Sequence, residues 1–190
     1  NCMILGILKY NYSKVLLNRV MFMLLHQNEN SFGKYNFSVN LLKKHCNVLY
    51  HFHSNYELIY ILKGSLQLKV DERIEIIHEG EFAFIMPNQL HSLTTIEEVD
   101  TWIGVFSEDY IYLFSSTIRE YMGERNVFRC DDYVKNYFLK VLIEDKQNDV
   151  YILKSCFYAL AQQYLKNVKL VKKNVNDELF YAIVNYISYN

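Results

Sequence analysis

Short runs of β-branched and aromatic residues, separated by turn signals, constrain the fold of this chain more than any other feature. Between Tyr56 and Phe106 the chain contains five such runs, which are YELIYIL, LQLKV, RIEII, FAFIM and TWIGVF. Turn signals that contain glycine, aspartate or a Pro-Asn pair stand between them. Frequent turns between short strands are typical of a sandwich or a barrel, and they argue against a parallel α/β sheet. We therefore predict a mainly β fold.

Alternation of residue types along these runs predicts which side chains share a face. In YELIYIL, Glu57, Ile59 and Ile61 lie on one face, and the opposite face is also apolar. A strand with two apolar faces is expected where one side lines a barrel and the other side is covered. In RIEII we expect Ile74 and Ile76 to line the barrel.

After Ser107 the period of the apolar residues changes from two to between three and four. Residues 108–122 are predicted to form a helix with Ser107 as its N-cap, and a second helix is predicted to begin near Asp131. A third predicted helix spans residues 150–171, and its apolar stripe can pack on the barrel, on a neighbouring helix or on a second copy of the chain. This stripe is the candidate dimer interface and consists of Leu153, Phe157, Leu160 and Tyr164.

The two ends of the chain are predicted to lie outside the barrel. Within residues 1–30, the stretch 3–27 is largely apolar, but Lys9, Lys14 and Arg19 interrupt it. No uncharged run reaches the roughly 20 residues that a membrane-spanning helix needs, so we interpret the segment as a helical or strand lead-in. Residues 176–190 have the pattern of a helix whose apolar face finds no partner downstream, which predicts a further domain beyond them.

Charge and cysteine content argue against nucleic-acid binding by these residues and against a zinc site built from cysteines. The net charge of −1 gives no general electrostatic reason to bind nucleic acid. The four cysteines are scattered and form no C-x-x-C pair, so a zinc site built from cysteines is not predicted. Reduced thiols in a cytoplasmic protein are the simplest interpretation.

A group of polar residues within the predicted strands is the candidate site for binding a metal or a small molecule. His51 and His53 are separated by one residue, so both face the same side of a strand. Glu57 lies on the next strand, and His91 follows two later turns. Three imidazoles and one carboxylate are a suitable ligand set for Ni, Zn, Mn or Fe. The same residues can instead contact a small molecule, or they can be ordinary polar side chains of half-buried strands.

This pattern resembles the cupin superfamily. The first cupin motif, H-x-H, three residues, E, six residues, G, is filled by the run from His51 to Gly64. In the second motif, Gly80 and His91 occupy the expected glycine and histidine positions. The chain departs from the motifs where the family has a first glycine, a proline and a further glycine, since these positions hold His45, Met86 and Asn88. The resemblance implies a cupin double-stranded β-helix, or jelly-roll barrel, followed by α-helices.

Within that superfamily, the stretch YELIYILKGSLQLKV…GEFAFIMPNQLHSL is similar to the N-terminal effector-binding domain of AraC-type bacterial transcription regulators. The similarity implies a barrel over residues 31–107, a helical dimerisation and linker region over 108–175, and the first helix of a truncated helix-turn-helix domain over 176–190. It also implies a homodimer that contacts DNA only through the missing C-terminal domain, and no membrane association.

The same similarity implies that a small-molecule effector binds in the barrel. The candidate effector contacts are His51, His53, Glu57, His91 and Trp102, with the first four as the candidate metal ligands. Trp102 would stack on the effector only if it faces inward. No catalytic residue and no obligatory cofactor are assigned. The alternative is a metal-dependent cupin enzyme of the dioxygenase or sugar isomerase type. The chemical identity of the effector does not follow from the sequence.

Overall fold

A computed structural model describes residues 37–146 and 148–173, so the predictions for residues 1–30 and 176–190 lie outside the described residues. The strands of the barrel are β1 (Phe37–Leu42), β2 (Val48–His51), β3 (Tyr56–Lys63), β4 (Ser65–Val70), β5 (Arg73–His78), β6 (Phe82–Ile85), β7 (His91–Thr95) and β8 (Asp100–Phe106). After a single 3-10 turn, Glu108–Tyr110, the chain forms α1 (Tyr112–Thr117), β9 (Tyr121–Gly123), β10 (Val127–Phe128), α2 (Asp132–Phe138) with a π-helical continuation (Leu139–Glu144), α3 (Val150–Asn167) and β11 (Leu170–Lys172).

Two antiparallel sheets form the barrel. One has the strand order β1-β8-β3-β6-β10, and the other has the order β2-β7-β4-β5. Non-consecutive strands are neighbours in both sheets, as the predicted jelly-roll topology requires. The predicted fold class is therefore confirmed: the chain is mainly β, with a barrel followed by helices.

The inner and outer faces of the five-stranded sheet carry different kinds of apolar residue. The barrel interior is filled by aliphatic side chains from both sheets, including Ile59, Ile61, Leu66, Leu68 and Ile103. The outer face is aromatic and is buried beneath the helices; it includes Tyr56, Tyr60, Phe82, Phe84 and Phe106. The prediction that both faces of β3 are buried is thus confirmed.

The prediction for β5 is wrong. Ile74 and Ile76 are 60% and 46% exposed, respectively, and Ile77 is the isoleucine of this strand that enters the interior. Arg73 and Glu75 face the segment before β10, where their side chains bond to backbone and side-chain groups of residues 123–127. Polar contacts available to these two side chains therefore set the orientation of the edge strand.

The helical layer packs on the aromatic face of the barrel. The stripe predicted as a dimer interface is 1–2% exposed and lies in the core of the chain itself, so these residues are not available to a partner: Leu153, Phe157, Leu160 and Tyr164. Of the three alternatives for this stripe, the two within the chain are observed, since it packs on the barrel and on the neighbouring helices. Asp149 caps α3 by accepting hydrogen bonds from the N–H groups of Tyr151 and Ile152.

The segment after Ser107 differs from the single helix predicted there. It contains the 3-10 turn and the six-residue α1, and Ser107 makes no side-chain capping bond. The chain then leaves the helical path because β9 pairs with β11, with Gly123 opposite Leu170. The second helix begins as predicted, with Asp131 as N-cap accepting from the N–H of Val134. Among the described residues, no helix has the length and apolar character needed to cross a membrane.

Candidate functional site

Strand pairing brings the predicted polar residues together at one end of the barrel interior. His51 ends β2 and lies opposite His91, which begins β7. His53 lies two residues after the end of β2, and Glu57 is the second residue of β3, on its inward face. Beyond Glu57, the inward positions of β3 are aliphatic. The cluster is therefore a polar end to an otherwise apolar interior.

The four side chains are close enough to share one ion. One potential ligand atom from each of His51, His53, Glu57 and His91 lies within 4.8 Å of the others. The ring centroids of His51 and His91 are 4.1 Å apart, and those of His53 and His91 are 5.2 Å apart. No member of the cluster is more than 7% exposed. The convergence inferred from the sequence is thus present in the structure.

Backbone carbonyl groups orient all three imidazoles in the same way. The Nδ1 atom of each ring lies 2.8–3.0 Å from a carbonyl oxygen two residues away, and the carbonyls belong to Leu49, Asn55 and Gln89. A ring that donates through Nδ1 leaves Nε2 as its free coordinating atom. This arrangement is common among metal-binding histidines, since the outer hydrogen bond fixes both the tautomer and the ring orientation.

Glu57 supplies the negative charge of the cluster. Its Oε2 lies 3.0 Å from Nε2 of His53 and 3.4 Å from Nε2 of His91. Burial alone would raise the pKa of Glu57, but the positive charge of His91 and the hydrogen bond from His53 outweigh burial and hold this pKa well below its usual value. Burial would lower the pKa of His91, and Glu57 outweighs that effect and raises it. The carboxylate is therefore ionised and ready to pair with a cation.

His51 is held in its neutral form. Burial, followed by the positive charge of His91, lowers the pKa of His51 from 6.5 to about 4. A neutral imidazole is the form that coordinates metals or accepts a hydrogen bond from a ligand.

The chemistry of the cluster fits a divalent transition metal. Three imidazoles and a carboxylate suit Mn, Fe, Ni and Zn. The buried Nε2 of His91 is within ion-pair distance of Glu57 but lacks a partner with hydrogen-bond geometry among the described residues. An ion at the centre would give this atom a partner, and so would a polar group of a small molecule. The donor set of this cluster contains no cysteine.

A second set of polar residues holds Gln89, whose carbonyl group orients the ring of His91. Gln89, whose carbonyl orients His91, is 4% exposed, and Asn126 next to it is 1% exposed. The amide nitrogen of Asn126 donates to Oε1 of Gln89 at 2.9 Å, and its Oδ1 accepts from Arg73 at 3.0 Å. These two residues were not predicted from the sequence, because no motif or periodicity marks a contact between positions 37 residues apart.

The structure places Trp102 away from the cluster. Its side chain lies on the outer face of β8, 1% exposed, with its ring centroid 5.0 Å from that of Phe138. The indole occupies the space that a side chain at Gly104 would need. Trp102 therefore fills the core beneath the helices, and the expectation that it stacks on a ligand inside the barrel is not supported.

Comparison with known proteins finds one family model that matches part of this chain. The model of the cupin domain family matches residues 38–101. No curated protein sequence matches the chain.

Among solved structures, ToxT from Vibrio cholerae is similar over 74% of this chain and 61% of its own length, with 15% sequence identity and a TM-score of 0.52. A ToxT structure with a bound unsaturated fatty acid is similar over 68% of this chain and 55% of its own, with 17% identity and a TM-score of 0.50. Oxalate decarboxylase from Bacillus subtilis matches 38% of this chain and 21% of its own, with 19% identity and a TM-score of 0.34.

The chain thus spans about three fifths of the length of ToxT. At these identities, the ToxT structures show a shared fold. Together with the family match over residues 38–101, they identify the barrel of this chain as a cupin domain.

Proposed function

We propose that this chain is the small-molecule-sensing half of an AraC-type transcription regulator. A cytoplasmic effector that binds at the polar end of the barrel would control a DNA-binding half outside this chain. Three findings support the proposal: the sequence similarity to AraC-type sensors, the cupin domain, and the fold shared with ToxT, which is an AraC-type regulator. The ToxT structure with a fatty acid bound is an example of the same fold holding a small organic molecule.

The observation that carries the proposal is the convergence of four polar side chains in a closed, apolar interior. Their ligand atoms lie within 4.8 Å of one another, and the residues are at most 7% exposed. A molecule that reaches them must therefore displace the surrounding side chains. Binding of the molecule would then shift the equilibrium between two packing arrangements of the chain. The difference between its affinities for the two arrangements sets the size of that shift.

The aromatic layer offers a route from the cluster to the helices. Tyr56 precedes Glu57 in β3 and stacks on Phe106 at a centroid distance of 5.9 Å. Phe106 in turn stacks on Phe157 of α3 at 4.0 Å. Because close-packed rings cannot slide independently, a displacement of β3 would change the position of α3.

We further propose that the regulator is a homodimer, with the exposed stripe of α3 as its interface. Tyr151, Tyr158 and Leu165 follow one another at intervals of seven residues and are 80%, 37% and 37% exposed. Leu113 of α1 is 67% exposed and lies beside them, since its N–H donates to the hydroxyl of Tyr158. Apolar residues at this interval form a seam along one side of a helix. Light scattering should give a dimer mass for the native chain and a monomer mass for Tyr151→Glu combined with Leu165→Glu.

A divalent metal is the proposed cofactor of the cluster, with Ni, Zn, Mn and Fe as candidates. When bound, it would supply positive charge and open coordination positions for polar groups of the effector. The test is calorimetric titration of the metal-free chain with Zn²⁺ or Ni²⁺, comparing wild type with His91→Gln and with His78→Gln, an exposed histidine outside the cluster. We expect wild type and His78→Gln to bind alike and His91→Gln to bind at least tenfold more weakly. Equal binding by all three would contradict the metal proposal.

The sensing function is tested by a thermal-shift screen with sugars, organic acids and aromatic compounds. A ligand present at 100 times its Kd stabilises a protein by about 2.7 kcal/mol, which corresponds to about 5–10 °C in Tm for a chain of this size. A true effector should give this shift in wild type and His78→Gln but lose most of it in His53→Gln. A ligand that shifts wild type and His53→Gln equally would not bind at the cluster.

The alternative is a metal-dependent cupin enzyme, and it is favoured by one observation, the complete three-histidine and one-carboxylate donor set. The two functions differ in what happens to the bound molecule. A sensor releases its effector unchanged, whereas an oxygenase or isomerase converts it. Incubation of the metal-loaded chain with any ligand found in the screen, followed by mass spectrometry and by separation of isomers, distinguishes them.

A further inference from the structure

A pocket outside the barrel has the size and chemistry of a second ligand site. It lies between the turn Met86–Gln89 and the segment that joins α1 to β9, and its volume is about 330 Å³. Small-molecule sites usually occupy roughly 300–1,000 Å³. We name it the outer pocket, because Tyr56, on the outer face of β3, forms part of its wall.

The floor of the outer pocket presents a hydrogen-bond donor without a protein partner. Arg73 can only donate, so the side-chain atom of Asn126 that it contacts must be Oδ1, and the NH₂ group of Asn126 must face Gln89. Oε1 of Gln89 accepts from this NH₂ group and from the N–H of Met86. The NH₂ group of Gln89 is thereby turned away from both, and it has no hydrogen-bond partner among the described residues.

Gln89 is 4% exposed and lines the outer pocket. Because so little of this residue is open to water, an acceptor group of a ligand in the pocket would satisfy its donor. The fixed network therefore prepares a donor for a molecule in the pocket.

Two cations line the same pocket. Arg119 is exposed, and its guanidinium has no ion-pair partner among the described residues. Nζ of Lys173 donates to the carbonyl of Arg119 at 2.9 Å, which holds the ammonium group beside it. One carboxylate, that of Glu108, also lines the pocket and accepts from the hydroxyl of Ser115. Two positive charges and one negative charge favour an anionic ligand.

Apolar side chains of Met86, Ile118 and Met122 form another part of the wall. We propose that the outer pocket binds a small amphipathic carboxylate, with its carboxylate group near Arg119, Lys173 and the amide of Gln89 and its apolar part against the two methionines. Methionine side chains adapt their shape to irregular apolar ligands.

The position of the pocket links it to the cluster in the barrel. The N–H of Asn88 donates to the carbonyl of His53 at 2.8 Å, and the carbonyl of Gln89 accepts from Nδ1 of His91 at 2.8 Å. The turn that forms one wall of the pocket thus holds two of the four residues of the cluster. A carboxylate bound in the outer pocket would contact the same turn. The proposal therefore rests on the sensing function of the barrel and extends it to a second ligand.

The test is calorimetry on the full chain with octanoate as the probe and octanamide as its uncharged counterpart. We expect octanoate to bind at least ten times more tightly than octanamide. Arg119→Gln removes the rim charge at an exposed position and should weaken octanoate binding at least fivefold. Gln89→Glu keeps the acceptor for Met86 and Asn126 but replaces the free donor with an anionic oxygen, so it should abolish binding. Lys43→Gln, at an exposed position on another part of the surface, should bind as wild type does.

Comparison with His53→Gln separates this proposal from the sensing function of the barrel. Octanoate affinity should not change in His53→Gln, since that residue does not line the outer pocket. Loss of binding in His53→Gln with no change in Arg119→Gln would make octanoate a barrel ligand and overturn the outer site. Failure of octanoate to bind the folded chain at millimolar concentration, or equal affinity for octanoate and octanamide, would also overturn it.

Discussion

Gly64 and Gly80 form a matched pair for measuring what the first cupin motif requires of its glycine. Both residues have positive φ angles, 81° and 78°, which L-residues adopt at a cost of about 1–2 kcal/mol. A Cβ at Gly64 would overlap the backbone carbonyl of Glu98, while nothing lies within 4 Å of a Cβ at Gly80. The φ cost is thus common to both positions, and only Gly64 has an additional steric cost.

We expect Gly80→Ala to lower the free energy of unfolding by about 1 kcal/mol, because the backbone cost is partly offset by the lower entropy of the unfolded chain. Gly64→Ala should lose about 2–3 kcal/mol more, since a carbonyl in the main chain cannot rotate away as a side chain can. Urea unfolding followed by the fluorescence of Trp102, the single tryptophan, measures both.

Asparagine at the same positions separates the two costs. Asn tolerates the left-handed region, so Gly80→Asn should be close to wild type. Gly64→Asn should recover only the backbone part and remain strongly destabilised, because its Cβ meets the same carbonyl. Losses that agree within about 0.5 kcal/mol at the two positions would refute the role of the close approach between Gly64 and Glu98.

Three further outcomes follow from the site and the helix ends. In the metal-free protein the pKa of His51 is about 4 when folded and 6.5 when unfolded, so protonation favours unfolding. The contribution of neutral His51 to the free energy of unfolding is complete above pH 6.5 and should fall by about 3 kcal/mol as the pH drops to 4. Urea titrations at different pH values should show this loss in wild type but not in His51→Asn. Zn²⁺ binding should release at least one proton, because Glu57 outweighs burial and raises the pKa of His91, and an imidazole must lose its Nε2 proton to coordinate the ion. Calorimetric titration in two buffers of different ionisation enthalpy measures the release, and no difference between the buffers would contradict it. Asp131→Ala should cost about 1 kcal/mol in urea unfolding through loss of the cap of α2, whereas its exposed neighbour variant Asp132→Ala should change stability little.

The polar cluster was predictable because the spacing of its residues in the sequence determines which face of a strand they share. Two histidines separated by one residue must share a face of a strand, and Glu57 lies on a face marked by Ile59 and Ile61. These patterns depend only on the strand repeat. The jelly-roll itself followed from resemblance to a family, since many barrels have runs of this length.

Trp102 and the isoleucines of β5 show where the strand repeat is insufficient. In TWIGVF both faces are apolar, so alternation alone does not say which face is inside. The register with β3, in which Trp102 lies opposite Tyr60, sets the tryptophan outward. On β5 the decision comes from Arg73 and Glu75, whose partners belong to a distant part of the chain.

The helical region was predicted least well, for a related reason. The sequence 108–122 has a continuous helical period, but pairing of β9 with β11 interrupts it. The energy of that pairing depends on residues nearly fifty positions later and leaves no local signal. The short strand β10 also joins the barrel sheet by pairing with β6, and it lies between the first two predicted helices, in the region interpreted as helical dimerisation and linker.

The carbonyl groups that orient the three imidazoles lie only two positions from the rings they hold. The hydrogen bond that orients each ring is therefore encoded in a segment of three residues. Loops and helices elsewhere can change during evolution, or be replaced by design, while the orientation of the imidazole rings is preserved. Divergent relatives should consequently retain working sites longer than they retain recognisable sequences.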